Sequence, residues 1–393
     1  MDFRFTPEQE AFREEVRAFI RENLPDWWGG RNDREDMSPE ETEVSREMVR
    51  KLARKGWLTM AWPQEYGGMG AGPMQQLIYN EEMSYARAPG AGNLGTAMVG
   101  PTLMVHGTEE QKKRFLPPIA RAEESWCQGF SEPGAGSDLA SLETTAVEDG
   151  DDFVVNGQKI WTSGAHRADW CILLARTDLE APKHKGISYF LMDMKLPGIT
   201  VLPLVNILGS SAFTQVFMDN VRIPRRYLVG ELNRGWYVAT TTLDFERSGI
   251  QRIMYALRTY EDLVEYCGET KVDGGSLGRK PLVRHKLADL RVEFEVGRLL
   301  AYRVAWMQSQ GLIPNYEASI IKLYGSELQS RLGAAGIGLV GLAGELGPGS
   351  PWAPLQGRMQ RYYLASTSYT VAAGTSEIQR NIIAQRGLGL PRN

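Results

Sequence analysis

Phe153-Val154-Val155-Asn156-Gly157-Gln158-Lys159-Ile160-Trp161 is where the chain changes character. Residues of high β-propensity flank an Asn-Gly pair, and Asn-Gly tolerates the positive φ angles of a type I′ turn. The stretch predicts a hairpin turning at Asn156-Gly157. Outward from it, further strands are expected at 170–175, 187–192, 199–205 and 213–218. Short strands with turn signals between them, over 125–228, predict a small β-barrel or sandwich.

The flanking regions are helical. In 1–124, Thr6 is placed to cap a helix with Pro7 at its first position, and Phe12, Val16, Phe19 and Ile20 follow at helical spacing. A second helix fits 44–55 and stops at Gly56. Trp62-Pro63-Gln64-Glu65-Tyr66-Gly67-Gly68 is a turn, and helical patterning resumes at 74–85. In 229–393 three stripes recur: Leu243, Ile250, Ile253, Leu257; then Val283, Leu287, Leu290, Phe294; then Ile320, Leu323, Leu328, Leu332. These lengths suit an antiparallel four-helix bundle, and Ser376-x-x-Gln379 reads as the cap of the last helix. The expected fold class is α+β with three domains: 1–124 helical, 125–228 β, 229–393 a helical bundle.

With 42% hydrophobic residues, the 393-residue chain has enough apolar side chains for a large core. Its 44 basic and 48 acidic side chains leave a net charge of −4, so no field favours nucleic acid or an anionic membrane. The N-terminus alternates charged and apolar residues, unlike a secretory signal. No uncharged apolar run is long enough to span a bilayer. Three scattered cysteines and four histidines give neither a disulfide framework nor a metal-ligand spacing. A cytoplasmic protein without a metal site is expected.

Two features point to chemistry. On a helix, Glu246 lies three residues after Leu243 and four before Ile250, with Thr242, Leu243, Gly249 and Ile250 as its i±3 and i±4 neighbours. None is cationic. Burial without a cation raises a carboxylate's pKa and suits a proton-transferring base; a boundary residue paired with a distant arginine gives the same pattern. Asp244 and Arg247, three apart, have the spacing of a solvated surface pair. Separately, Phe130-Ser131-Glu132-Pro133-Gly134-Ala135-Gly136-Ser137-Asp138 packs glycines and small hydroxyls into a turn that can aim backbone N–H groups at an anion or a polar cofactor edge. It matches neither the dinucleotide fingerprint nor a P-loop.

Taken together, the Trp62–Gly68 turn, the run at 131–138, Asn156-Gly157-x-Lys159-x-Trp161-Thr162-Ser163, Asp244-x-x-Arg247 and Gly374-Thr375-Ser376-Glu377-Ile378-Gln379-Arg380 resemble the acyl-CoA dehydrogenases over nearly the whole chain. The resemblance implies FAD-dependent removal of two hydrogens across Cα–Cβ of an acyl-CoA thioester, giving a trans-2-enoyl-CoA, with electrons passed to an electron-transferring flavoprotein. It implies that Phe130 and Ser131 meet the isoalloxazine and that Gly136 and Ser137 lie near the flavin phosphates and the CoA. Trp161, Thr162 and Ser163 would flank the ring, with a hydroxyl reaching N5. Thr375 and Glu377 would lie near the adenosine, Asp244 and Arg247 beside the acyl-CoA channel, and Gly374 against the substrate.

The sequence departs from that family twice. Most members carry the base just before the Gly-Thr of the last motif, where this chain has Ala373, which cannot act as one. A minority, including isovaleryl- and long-chain-type enzymes, place it on the Asp-x-x-Arg helix, and Glu246 matches that position. Homomeric relatives also lend an Arg-x-x-Phe-Gly loop and a Gln to a neighbour's FAD; here those positions read Gly274-Gly275-Ser276-Leu277-Gly278 and Lys286, and the glycine-rich element near the adenine reads Gly341-Leu342-Ala343-Gly344. The pattern resembles the base-supplying subunit of α2β2 enzymes acting on steroid side chains, alongside the homodimer or homotetramer usual in the family. Two other readings predict different outcomes: an acyl-CoA oxidase or flavin hydroxylase of the same fold would release peroxide in air, and a non-catalytic partner subunit would not need Glu246.

Overall fold

The computed structural model describes residues 4–30, 37–90, 93–244 and 249–391. Helices α1 (Pro7–Asn23), α2 (Pro39–Arg54), α3 (Pro73–Tyr85), α4 (Gly100–His106) and α5 (Glu109–Ala120) come first. Strands β1 (Trp126–Gly129), β2 (Thr145–Asp149), β3 (Asp152–Lys159), β4 (Trp170–Arg176), β5 (Ile187–Asp193), β6 (Ile199–Leu204), β7 (Phe213–Pro224) and β8 (Leu228–Val229) follow. Helices α6 (Gly235–Asp244), α7 (Ile250–Glu269), α8 (Pro281–Ser309), α9 (Tyr316–Val340), α10 (Arg358–Tyr369) and α11 (Ser376–Ile382) close the chain. The order is helical, β, helical, and the class is α+β.

Compactness groups these elements into two units: Met1–Asn32, Gly72–Ala91 and Arg247–Asn393 in one, and Asp33–Ala71 with Gly92–Glu246 in the other. In the second unit one sheet runs β6-β7-β3-β2-β4-β5-β8, with β1 beside β4. A single pair, Thr145 with Arg176, joins β2 to β4, so the sheet divides there into two halves. Phe153, Val155, Val216, Met218, Val221 and Ile223 from one half meet Cys171, Leu173, Ala175, Phe190 and Met192 from the other. The alternate residues of β4 and β5, Ile172, Leu174, Tyr189 and Leu191, pack instead on Leu103, Phe115, Leu116, Ile119 and Val238 of the helices. Covered on both faces, β4 is apolar without alternation.

The hairpin is not where Asn156-Gly157 suggests. β2 and β3 form it, with Asp149 opposite Asp152 and the turn at Gly150-Asp151. Asn156-Gly157 lies within β3, at a bulge where the register with β7 shifts. Gly157 has φ 147°, and a Cβ there would lie 2.5 Å from Thr144 Oγ1. The Asn156 side chain accepts the Asn220 N–H of β7 at 2.8 Å. Both residues are used by strand-to-strand contact, which a local turn signal does not reveal.

The other unit packs α7, α8, α9 and α10 with α3 around Ile253, Leu257, Leu263, Leu287, Leu290, Phe294, Leu328 and Leu332, and α1 packs on α3. α1 begins as expected: Thr6 accepts from Gln9 N and Gln9 reaches back to Thr6 N, a capping box. Its Arg13, buried, donates to Glu81 at 2.8 Å and to Glu82, while Tyr302 donates to Glu81 at 2.6 Å. Two further expectations are corrected. The stripe from Leu243 to Leu257 is not one helix, because Gly249, at φ 67°, starts α7 afresh. The last helix is capped by Thr375, whose side chain accepts from Ile378 N, one residue before the Ser376 expected.

Candidate active site

β1 runs out of the sheet into Phe130, Ser131 and Glu132. A tight turn follows, with Glu132 N–H donating to Ala135 O at 2.9 Å and Ala135 N–H to Glu132 O at 3.0 Å. Phe130 is buried edge-on to Tyr189, Ser131 is half-buried, and Gly136 and Ser137 are exposed. The segment after β3 lies beside this turn, since Ile160 N–H donates to Ser131 O at 2.9 Å. Trp161 takes the left-handed φ of 60°, which leaves its indole 58% exposed against the edge of Phe213. Thr162 turns inward: its N–H donates to Thr214 O, its carbonyl accepts from Thr214 Oγ1 at 2.7 Å, and its own hydroxyl has no partner among the described residues. Ser163 is exposed. Phe130, Ser131, Trp161, Thr162 and Ser163 therefore come together, with Gly136 and Ser137 at the far end of the same turn.

In the helical unit, Ala373 (φ 55°) and Gly374 (φ 83°) carry the chain into α11. Gln379 Nε2 donates to Ala373 O at 3.2 Å, and a Cβ on Gly374 would lie 2.5 Å from that nitrogen. The Ala373 N–H donates to no group among the described residues. Thr375 caps the helix; Glu377, exposed at its first turn, is held below the usual carboxylate range by its backbone N–H and the Thr375 hydroxyl. Asp244 is the last residue of α6, which is seated on β5 where Gly235 touches the Ser188 backbone. Glu246 and Arg247 lie outside the described residues.

Sequence reasoning quoted Glu132 and Lys159 but gave them no role. They form a buried ion pair at 2.7 Å directly behind Phe130. Burial opposes the charge of Glu132, but Lys159 and the N–H groups behind it outweigh that and keep its carboxyl below the usual range. Burial pulls Lys159 down to about 8 against the pull of Glu132. The signal was the inward phase of Lys159 on β3, shared with Phe153 and Val155.

An exposed indole, the half-buried Ser131 and exposed Ser163, and glycines 134 and 136 with open space where a Cβ would stand suit a flat aromatic ring followed by phosphates. The residues fit FAD. Among the described residues no cluster could hold a metal ion, and no helix is long and apolar enough to cross a membrane.

Comparison with known proteins agrees. The sequence matches the acyl-CoA dehydrogenase N-terminal domain over residues 6–123, the middle domain over 127–221 and the C-terminal domain over 233–388. The chain belongs to the acyl-CoA dehydrogenase family, FAD enzymes that oxidise the CH–CH group of acyl-CoA thioesters. It is 38% identical to acyl-CoA dehydrogenase IpdE1 of Mycobacterium tuberculosis, over 98% of each chain. Among solved structures it is similar to the Tcur3481-Tcur3483 steroid ACAD, with a TM-score of 0.90 and 36% identity over the whole of both chains. It is also similar to a chain of the ChsE4-ChsE5 complex from Mycobacterium tuberculosis, with a TM-score of 0.87 and 37% identity over the whole of both chains.

Proposed function

We propose that this chain is the base-supplying subunit of a heteromeric acyl-CoA dehydrogenase, that Glu246 is the base, and that an electron-transferring flavoprotein is the acceptor. The observation that carries the reading is Ala373. At the turn into α11, where most family members hold their carboxylate, this chain has a methyl group, so the base must come from elsewhere. Glu246, beside Arg247, matches the position used by the minority.

Bound FAD supplies a hydride acceptor. Phe130, Ser131, Trp161, Thr162 and Ser163 would hold its ring, Gly136 and Ser137 its phosphates and the CoA, and Thr375 and Glu377 its adenosine. Asp244, Arg247 and Gly374 would border the acyl-CoA. The Ala373 N–H, without a partner among the described residues, donates to the thioester carbonyl. That bond stabilises the negative charge that grows on oxygen as Glu246 takes the α-proton. Exclusion of water on closure raises the proton affinity of the base.

Support for a heteromer comes from the chain itself. Asp273-Gly274 forms a tight turn between the two-residue strands Lys271–Val272 and Gly275–Ser276 where homomeric relatives present Arg-x-x-Phe-Gly, and Leu342, in the element expected near the adenine, is 87% exposed. The similarity to a steroid ACAD favours a bulky acyl group. Expression of the chain alone and with a homologous partner, with measurement of bound FAD and of enoyl-CoA formation, tests the reading. FAD and activity only in the mixed complex are expected. Full FAD occupancy of a homo-oligomer would overturn the heteromer, and peroxide release on turnover in air would overturn the acceptor.

A further inference from the structure

The two segments assigned to the flavin ring, 130–131 and 161–163, are far apart in sequence and are joined behind the site by one buried ammonium. Lys159, 1% exposed, donates to Phe130 O at 3.1 Å and to Glu132 Oε1 at 2.7 Å. Glu132 is itself 8% exposed, and its carboxylate also accepts the N–H groups of Glu143 at 2.6 Å and Thr144 at 2.9 Å. With Ile160 N–H on Ser131 O, residues 130, 131 and 132 are each gripped by residue 159 or 160. Gly129 packs beside the stem, where a Cβ would lie 3.0 Å from Cys171 Sγ, 3.2 Å from Leu173 Cδ1 and 3.4 Å from Lys159 Cγ.

We propose that Lys159 and Glu132 are positioning residues for the flavin: they touch neither FAD nor substrate, but fix the Phe130–Ser131 wall against the Trp161–Ser163 wall. The inference rests on the reading that these two segments face FAD. A fold that needed only adhesion here had a simpler solution. Phe153, Val155, Cys171 and Leu173 line the same core, and an apolar pair in place of a buried ion pair is often neutral or stabilising. What an apolar pair lacks is direction. The ammonium selects one carbonyl and one carboxylate oxygen, and the carboxylate selects two backbone N–H groups; together they specify where the Phe130 peptide points. Drawing the lysine down to about 8 is the mark of how far this arrangement is removed from water.

The test uses the assembled holoenzyme, the chain with whatever subunit completes its flavin site. Variants are Lys159→Met, Glu132→Gln and the double variant. The readouts are the FAD dissociation constant, the visible absorption and circular dichroism of bound flavin, its reduction potential, and the melting temperature of the flavin-free protein. Lys159→Met strands a buried carboxylate and lowers the melting temperature; the double variant recovers it. The flavin readouts do not recover: FAD affinity stays weakened about 10-fold or more, the size of one charged hydrogen bond lost, with an altered visible spectrum. Glu132→Gln, nearly isosteric, folds and shows a smaller change of the same kind. A double variant or a Glu132→Gln protein with wild-type FAD affinity, spectrum and potential overturns the proposal and leaves the pair a structural brace. Failure of the underlying reading appears elsewhere, as a wild-type chain that contributes to no flavin site in any assembly, and it overturns both.

Discussion

Gly249 and Ile321 are packed so closely that a Cβ on the glycine would lie 2.6 Å from Ile321 Cγ1. Gly249 also sits at φ 67°, where an L side chain is strained, and it starts α7 just after the segment holding Glu246 and Arg247. Gly249→Ala must both strain the backbone and displace Ile321. It is expected to cost about 1–3 kcal/mol of stability, measured by urea unfolding; an unchanged midpoint would mean the chain restarts α7 in another way.

Gly157 makes the corresponding contact in the β unit. A Cβ there would meet Thr144 at its hydroxyl, at 2.5 Å, and at its Cα, at 2.7 Å, the latter a backbone atom that cannot rotate away. Gly157→Ala is expected to destabilise by about 1–3 kcal/mol and to disturb the neighbouring Thr144 N–H on Glu132. Alanine tolerated at wild-type melting temperature would contradict the bulge.

In the helical unit, Arg13 is the cation between Glu81 and Glu82, all three nearly buried. Burial opposes its charge, yet the two carboxylates hold the guanidinium more firmly protonated than usual. Arg13→Met leaves Glu82 with the half-exposed Arg17 and Glu81 with Tyr302 and Arg298. The expected loss is about 3–5 kcal/mol, the range for removing one partner of a buried pair, read from thermal or urea unfolding.

The pH dependence of Lys159 has two opposite signs. The folded chain releases its proton at about 8, below the ordinary value of 10.5. Across that window the unfolded chain holds a proton the folded chain has lost, so this group alone makes stability rise with pH. Over the same window the charge facing Glu132 disappears. FAD affinity is therefore expected to fall above about pH 8 while the flavin-free melting temperature gains from this group, and Lys159→Met is expected to abolish both dependences. Fluorescence titration of FAD from neutral to alkaline pH checks the first, and calorimetry the second.

Much of this was legible in the sequence. Thr6-Pro7 marked the start of α1, the stripe Val283, Leu287, Leu290 and Phe294 is the buried face of α8, and the helical, β, helical order followed from where β-branched residues concentrate. The misreadings share a cause. Asn156-Gly157 is a turn signal in isolation, yet its conformation answers to Thr144 and Asn220, which local sequence does not display. Leu243 to Leu257 kept helical spacing although α7 starts afresh at Gly249, because a glycine adds no side chain to break the pattern. Lys159 was given no role because its partner, Glu132, lies 27 residues earlier, beyond the reach of local pattern.

The central claim is that Glu246 is the base. The most direct measurement is turnover of Glu246→Gln in the assembled holoenzyme, with flavin content and acyl-CoA binding followed in parallel. The account predicts a loss of about 10²–10⁴-fold or more in turnover, the usual contribution of a general base, with FAD and acyl-CoA still bound. Wild-type turnover in that variant would contradict it.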